Sequence, residues 1–413
     1  MNRAHRSTMA DWASLPPELV QDIAYSVLST TGGVDTHMDM RAVCPSWRSA
    51  IAKPSPHAAF ADHRFRPRHW IMVDLKSRKH DPDARLFLHV PTGRFRRLPL
   101  PVIRDHLVLG ACDGLIVHEF TDRERPDMTG IRVLNPFTGG MLHFAVSLWE
   151  SADELRTAVS GGPRSTLVVW RDYDWRWRTL LYADPTSDDF REEEKTGLSW
   201  VHSMVTFKGN IYYAGSDEGV FQFVAPAEQG DHEPVVIAKM LPDVDIYLEG
   251  DRPYARCFLV ESAGELLVVR HWGQALKVFR VDVEHKLLEE VKSLGSRTLF
   301  LGGERCLSVD ADIFPSVDAD CVYMSNWVEM PEWRGRYTHV YNLRDGTMEI
   351  LYTEPMLRAN IHPRPSSPRA NFCHQRGIFT RAYNHRLPPL SLTQVLLDYC
   401  NDNTCFYHFN DWW

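Results

Sequence analysis

The residues of this 413-residue chain with the most marked chemistry are its thiols, imidazoles and clustered carboxylates. Cys400, Cys405 and His408, with Cys373-His374 upstream, are ligand types that zinc prefers. Their spacing is looser than the close cysteine pairs that usually hold the ion, so ordinary core or surface positions are expected for them. Asp310, Asp312, Asp318 and Asp320 offer oxygens of the kind calcium takes. They lack the alternating order and glycine of a calcium loop, and turns account for them more simply. A glycine-rich phosphate loop ending in Lys-Ser/Thr, a G-x-S-x-G elbow and an H-E-x-x-H helix are all missing. The chain therefore reads as non-catalytic, with no cofactor, no metal and no catalytic residues expected.

The elements that would position a site fall into two kinds. Residues 11–53 read as helices, and nearly everything from Trp70 to Tyr352 reads as strands. In "LPPELVQDIAYSVL" (15–28), Pro16 and Pro17 suit a helix's first turn, where the missing N–H would be unbonded anyway. Glu18 complements the positive end of the helix dipole. Leu19, Val20, Ile23, Val27 and Leu28 recur at three- and four-residue spacing, which predicts one apolar face. A loop, "TTGGVDTH", then leads to "DTHMDMRAVC", with Met38, Met40 and Val43 as apolar points, and a third short helix opens at Pro45-Ser46 and ends by Pro54. Three helices of this size bury little core. Such a unit needs a partner, a metal or a staple, and it holds no metal or disulfide pattern.

The strand-rich part has another rhythm. β-branched and aromatic runs alternate with turn residues such as Lys208-Gly209-Asn210, Asp217-Glu218-Gly219 and Ser262-Ala263-Gly264. The resulting meanders succeed one another every 40–50 residues or so, without helices between them. The expected fold class is mainly β with a small all-α N-terminal module, the β part being a β-propeller, whose closure protects the sheet edges. A large sandwich or barrel is the structural alternative, and the degenerate repeats do not fix a number of blades. After Pro355 the chain is rich in proline and arginine as far as Arg369, and "LPPLSLTQVLLDY" (387–399) predicts a short helix packed on the domain.

Composition narrows the function classes. Hydrophobic residues at 44%, aromatic at 11% and charged at 24% exclude a disordered or collagen-like chain, and no apolar run approaches membrane-spanning length. A net charge of −8 argues against a general nucleic-acid binder. One segment departs from this, since Arg64 to Arg104 carries eleven Lys/Arg against three acidic residues. Its basic residues alternate with apolar ones, which predicts a solvated sheet face. Eight scattered cysteines and an N-terminus without an apolar leader lead us to expect a cytoplasmic or nuclear protein with no membrane partner.

"WASLPPELVQDIAYSVLS" followed by "DMRAVCPSWRSA" resembles an F-box: Leu-Pro before an amphipathic helix, an Ile in its second turn, then Arg-x-Val-Cys-x-x-Trp-Arg. The resemblance implies docking on a Skp-type adaptor, and through it a cullin, in an SCF-type ubiquitin ligase. Leu15 and Pro16 match the motif's Leu-Pro, Leu19 and Ile23 its first-helix contacts, and Val43, Cys44, Trp47 and Arg48 its second half. Leu15, Pro16, Ile23, Val43 and Trp47 are the expected anchors. "LVLGACDGLIVHEF…IRVLNPFTGG" and "DCVYMSNW…HVYNLRDGTMEIL" are similar to plant F-box proteins that carry a KIB-type β-propeller, with Asp320 where relatives tend to have Asn. The implied domains are an F-box over 10–54, a propeller over 65–355 and a C-terminal extension over 356–413. The implied function is target recognition for ubiquitination, the propeller holding an unidentified target protein. A non-degradative scaffold that masks its partner is the first alternative, and a propeller enzyme with a channel metal the second.

Overall fold

The computed structural model describes residues 12–29, 33–73, 83–104, 106, 108–121, 129–146, 154–162, 165–173, 177–192, 201–215, 219–225, 235–239, 256–272, 275–303, 305–330, 333–355 and 392–400. Asp217, Glu218, Cys373, His374, Cys405 and His408 lie outside them. No helix among the described residues is long and apolar enough to cross a membrane.

Helix α1 (Pro17–Leu28) starts as expected, with Pro16 extended at its N-cap and Pro17 in its first turn. At about 100° per residue, Leu19, Ile23, Val27, Val20, Ala24 and Leu28 sweep one arc of roughly 180°. The structure divides that arc. Val20, Ala24 and Leu28 are buried, whereas Leu19 and Ile23 face outward. Val20 and Ala24 pack with Met40, Ala50 and Ile51 from α2 (Gly33–Val43), α3 (Pro45–Ala50) and the residue after it, with Leu15, Val27 and Trp47 at the margin.

The expected loop over "TTGGVDTH" is corrected: Gly33–His37 already belongs to α2. Its buried residues include polar ones, which hides them from a hydrophobicity pattern. Asp35 pairs with Arg94 and the His37 ring meets Ala24 O at 3.3 Å, so neither lacks a partner. Two short segments follow, α4 (Ala58–Ala61) and a 3-10 turn (His63–Phe65).

The strands form six sheets, the blades of a propeller. Blade one is β1 (Trp70–Met72), β2 (Ala84–His89) and β3 (Arg94–Pro99). Blade two is β4 (Val108–Cys112), β5 (Leu115–Thr121), β6 (Thr129–Leu134) and β7 (Met141–Phe144). Blade three is β8 (Glu154–Val159), β9 (Leu167–Tyr173), β10 (Trp177–Ala183) and β11 (Arg191–Glu192). Blade four is β12 (Val201–Phe207), β13 (Asn210–Gly215), β14 (Gly219–Phe223) and β15 (Val235–Lys239). Blade five is β16 (Arg256–Ser262), β17 (Glu265–Trp272), β18 (Ala275–Asp282) and β19 (Leu287–Val291). These are antiparallel meanders. Blade six departs from the pattern: β20 (Arg297–Leu301) lies between β21 (Cys306–Asp310) and β22 (Cys321–Met330), and pairs with β22 in parallel. β23 (Trp333–Asn342) and β24 (Met348–Pro355) complete it.

Asp113-Gly114, Lys208-Gly209 and Ala263-Gly264 all have positive φ and join the first two strands of blades two, four and five, the geometry of tight two-residue hairpins. Asp320, at φ 60°, is also left-handed, a conformation that Asn and Asp both tolerate. Its carboxylate accepts from Ser293 Oγ and Leu294 N, so the aspartate cluster is turn chemistry, as expected.

Each interface between neighbouring blades has its own apolar cluster. Trp170 and Tyr213 meet between blades three and four, Ala214 and Cys257 between four and five, and Val278 and Leu299 between five and six. The first and last blades share no strand among the described residues. Their seam holds Ile71, Leu88 and Val90 from one side, Phe300 and Tyr323 from the other, and Leu396, Leu397 and Cys400 of α5 (Leu392–Cys400). The tail helix thus packs on the domain, as its sequence predicts.

Strand β3 of the basic segment is largely exposed, as expected, and it also makes specific contacts. Arg96 grips Asp39 of α2 through two bonds of 2.7 and 2.9 Å, and Arg94 holds Asp35, so this strand docks the helical module on the propeller. "NPFTGG" ties in the following segment. Asn135 is fully buried; its amide donates to Phe65 O (2.8 Å) and its Oδ1 accepts from Phe137 N and Thr138 N (3.2 Å each). Asn135→Ala leaves those groups unbonded inside the protein and is expected to cost about 2–4 kcal/mol, read as a lower urea midpoint.

Burial also sets a pH dependence. His118 and His69 are held neutral down to about 4, and His202 to about 3, chiefly by desolvation. Unfolded, each titrates near 6.5, so below that pH the unfolded chain binds more protons and stability falls as pH drops from about 6.5 towards 4. Lowering pH from 7 to 5.5 should remove about 1 kcal/mol through His118 alone. Urea melts of His118→Gln should show a shallower loss than wild type; an equal slope counts against this account.

Candidate functional site

Two places could engage another molecule: the outer face of the helical module and the axis of the propeller. On the module, Leu19 (50% exposed), Ile23 (38%) and Val43 (62%) are large apolar side chains open to solvent. Pro16 and Arg48 are exposed; Leu15, Cys44 and Trp47 are half-buried. Leu15 and Trp47 also brace the module's own core. Trp47 Nε1 donates to Trp12 O at 3.0 Å, and the Cys44 thiol lies 3.0 Å from Ser46 Oγ.

The motif match did not flag Trp12 (64% exposed) or Tyr25 (52%). Five of the eleven exposed large apolar residues described lie between Trp12 and Val43, so such surface is concentrated in the smallest unit of the fold.

At the axis, the inner strand of every blade contributes to one cavity of about 490 Å³, with Ile71, Cys112, Arg156, Met204, Glu261 and Ser308 coming from six different sheets. At one side Arg66, itself buried, donates to Phe60 O (3.0 Å) and Val159 O (2.8 Å), to Ser160 O, and pairs with Asp113 at 3.3 Å. Burial raises the Asp113 carboxyl, opposed by the Arg66 charge.

The cavity's thiols are not nucleophiles. Desolvation pushes Cys112 up to about 12 and Cys306 to about 11, so neither is a thiolate at neutral pH. Cys400 is buried against Phe300 O, and among the described residues no three His, Cys, Asp or Glu side chains are grouped to hold a metal. Sequence reasoning missed the cavity because its residues lie tens of positions apart. In blades one to five the signal that could find them is the first strand of each meander; blade six uses its second strand, β21.

A family described as the KIB1-4 β-propeller matches residues 87–342, more than half of the chain. No curated protein matches. Among solved structures, the chain is 15% identical to one from a study of two prolyl endopeptidases, covering 67% of this chain and 39% of that one at a TM-score of 0.28. It is 14% identical to the computationally designed Ika8 protein (66% and 81%, TM-score 0.28) and 9% identical to TolB from Acinetobacter baumannii (64% and 58%, TM-score 0.31). The chain thus spans less than two thirds of the first and third of these. None of these likenesses bears on what the chain does.

Proposed function

Since the chain belongs to the KIB1-4 β-propeller family, whose fold fits a role in protein interaction, we propose that it is the target-recognition subunit of a Skp–cullin–F-box ubiquitin ligase. The observation that carries this reading is the divided arc of α1. Half of it builds the module's core, and the other half, Leu19 and Ile23, faces outward at the positions that match an F-box's adaptor contacts. An apolar helical face of this kind seats in a groove between a partner's helices. The propeller then holds the target, and the complex acts by proximity, raising the effective concentration of the target's lysines near the ligase's charged thioester. On this reading the chain itself is not an enzyme and works in the cytoplasm or nucleus.

Native purification of the tagged full-length chain, probed for a Skp-type adaptor and a cullin, tests the proposal. Recovery of both supports it, and their absence overturns it. The half-life of a co-purified target, with and without this chain, then separates degradation from masking.

A further inference from the structure

The axial cavity reverses the sign of the chain's charge. Against a net −8, it is lined by Arg68, Arg156, Arg297 and Arg305, with only Asp113 and Glu261 opposing them. Asp113 is already engaged by Arg66, which leaves Glu261 as the one carboxylate of the lining set directly against an anion there. Arg156 is 7% exposed. Arg297 gives Nε and Nη2 to Ser308. Arg305 donates through Nη1 to Tyr399 O at 3.1 Å, while its Nη2 is buried without a hydrogen-bond partner among the described residues. A guanidinium N–H in that position is a strong donor waiting for an acceptor, and attraction to an anion is stronger inside the protein than in water. The cavity's 490 Å³ suits a small molecule, not a macromolecular segment.

We propose that the propeller axis is a binding site for a small polyanion, a phosphate ester or polycarboxylate, with Arg305, Arg156 and Arg297 as its cationic wall. The site is separate from the adaptor face and independent of the ligase reading. Such a ligand would link blade three, through Arg156, to blade six, through Arg297 and Arg305, across the axis, so occupancy would also stiffen the ring.

Titration calorimetry of the full chain with pyrophosphate and, separately, citrate, at constant ionic strength, tests it and distinguishes the two classes. Saturable one-to-one binding of at least one probe is expected. Arg156→Met should weaken that binding at least tenfold, and Glu261→Gln should tighten it about threefold. Opposite effects from two substitutions in the cavity wall cannot both come from misfolding. No saturable heat with either probe overturns the proposal, as does binding that both variants leave unchanged.

Discussion

Leu19→Asp with Ile23→Asp is expected to abolish adaptor binding and leave the chain folded. Both side chains are exposed in the free protein, so replacing them should change stability by no more than about 0.5 kcal/mol each. In the complex the same positions would be covered, and a carboxylate there would lose water without gaining a partner. If each is a hot spot worth about 2 kcal/mol or more, the pair weakens binding by at least about a hundredfold, even allowing for non-additivity. Calorimetry with a purified Skp-type adaptor measures the loss, and near-ultraviolet circular dichroism checks the fold.

Val20→Asp is the contrasting variant. Val20 is 1% exposed in the cluster with Met40 and Ile51, so a carboxylate there should disrupt the module itself. Adaptor binding that survives at Leu19 and Ile23 would show that this face is not the contact, whatever Val20 does.

The same helix shows what a sequence discloses. Its start, length and apolar arc were legible because proline placement and helical period are local properties. Which half of the arc faces inward depends on α2 and α3, which no period in α1 records. Helix α2 was harder, since Asp35 and His37 are buried through partners far along the chain, Arg94 among them. The basic strand β3 is largely exposed, as its alternation predicts, but its pairing of Arg96 with Asp39 depends on a residue 57 positions away and so was not legible. The propeller was readable from repeated turns, with paired positive-φ residues at Lys208-Gly209 and Ala263-Gly264 where the turn residues predicted them. The number of blades was not, because blade one is described by three strands and blade six breaks the meander with a parallel pair. The axial cavity lay furthest from view, since six separate strands build it.

Helix α5 is expected to act as the clasp of the ring, and Gly302→Val should release it. A Cβ on Gly302 would stand 2.1 Å from Cys400 O and 2.4 Å from its carbonyl carbon, both backbone atoms that cannot rotate away. The last turn of α5 must therefore move, breaking the bonds from Arg305 N and Nη1 to Cys400 O and Tyr399 O, each 3.1 Å. Those bonds satisfy carbonyls that a helix end leaves open, so their loss loosens the whole turn. Leu396→Ala probes the same seam from its apolar side and should cost about 2–5 kcal/mol, because Leu396 is fully buried between the first and last blades. No strand shared by those blades is described, so the packing that includes α5 should carry much of their union, and hydrogen exchange should show it. In both variants the amides of β1, β20 and β21 should exchange sooner, while those of β13, on the far side of the ring, keep their protection. Protection lost evenly round the ring would mean that the propeller opens as one unit and that α5 is only another packed element.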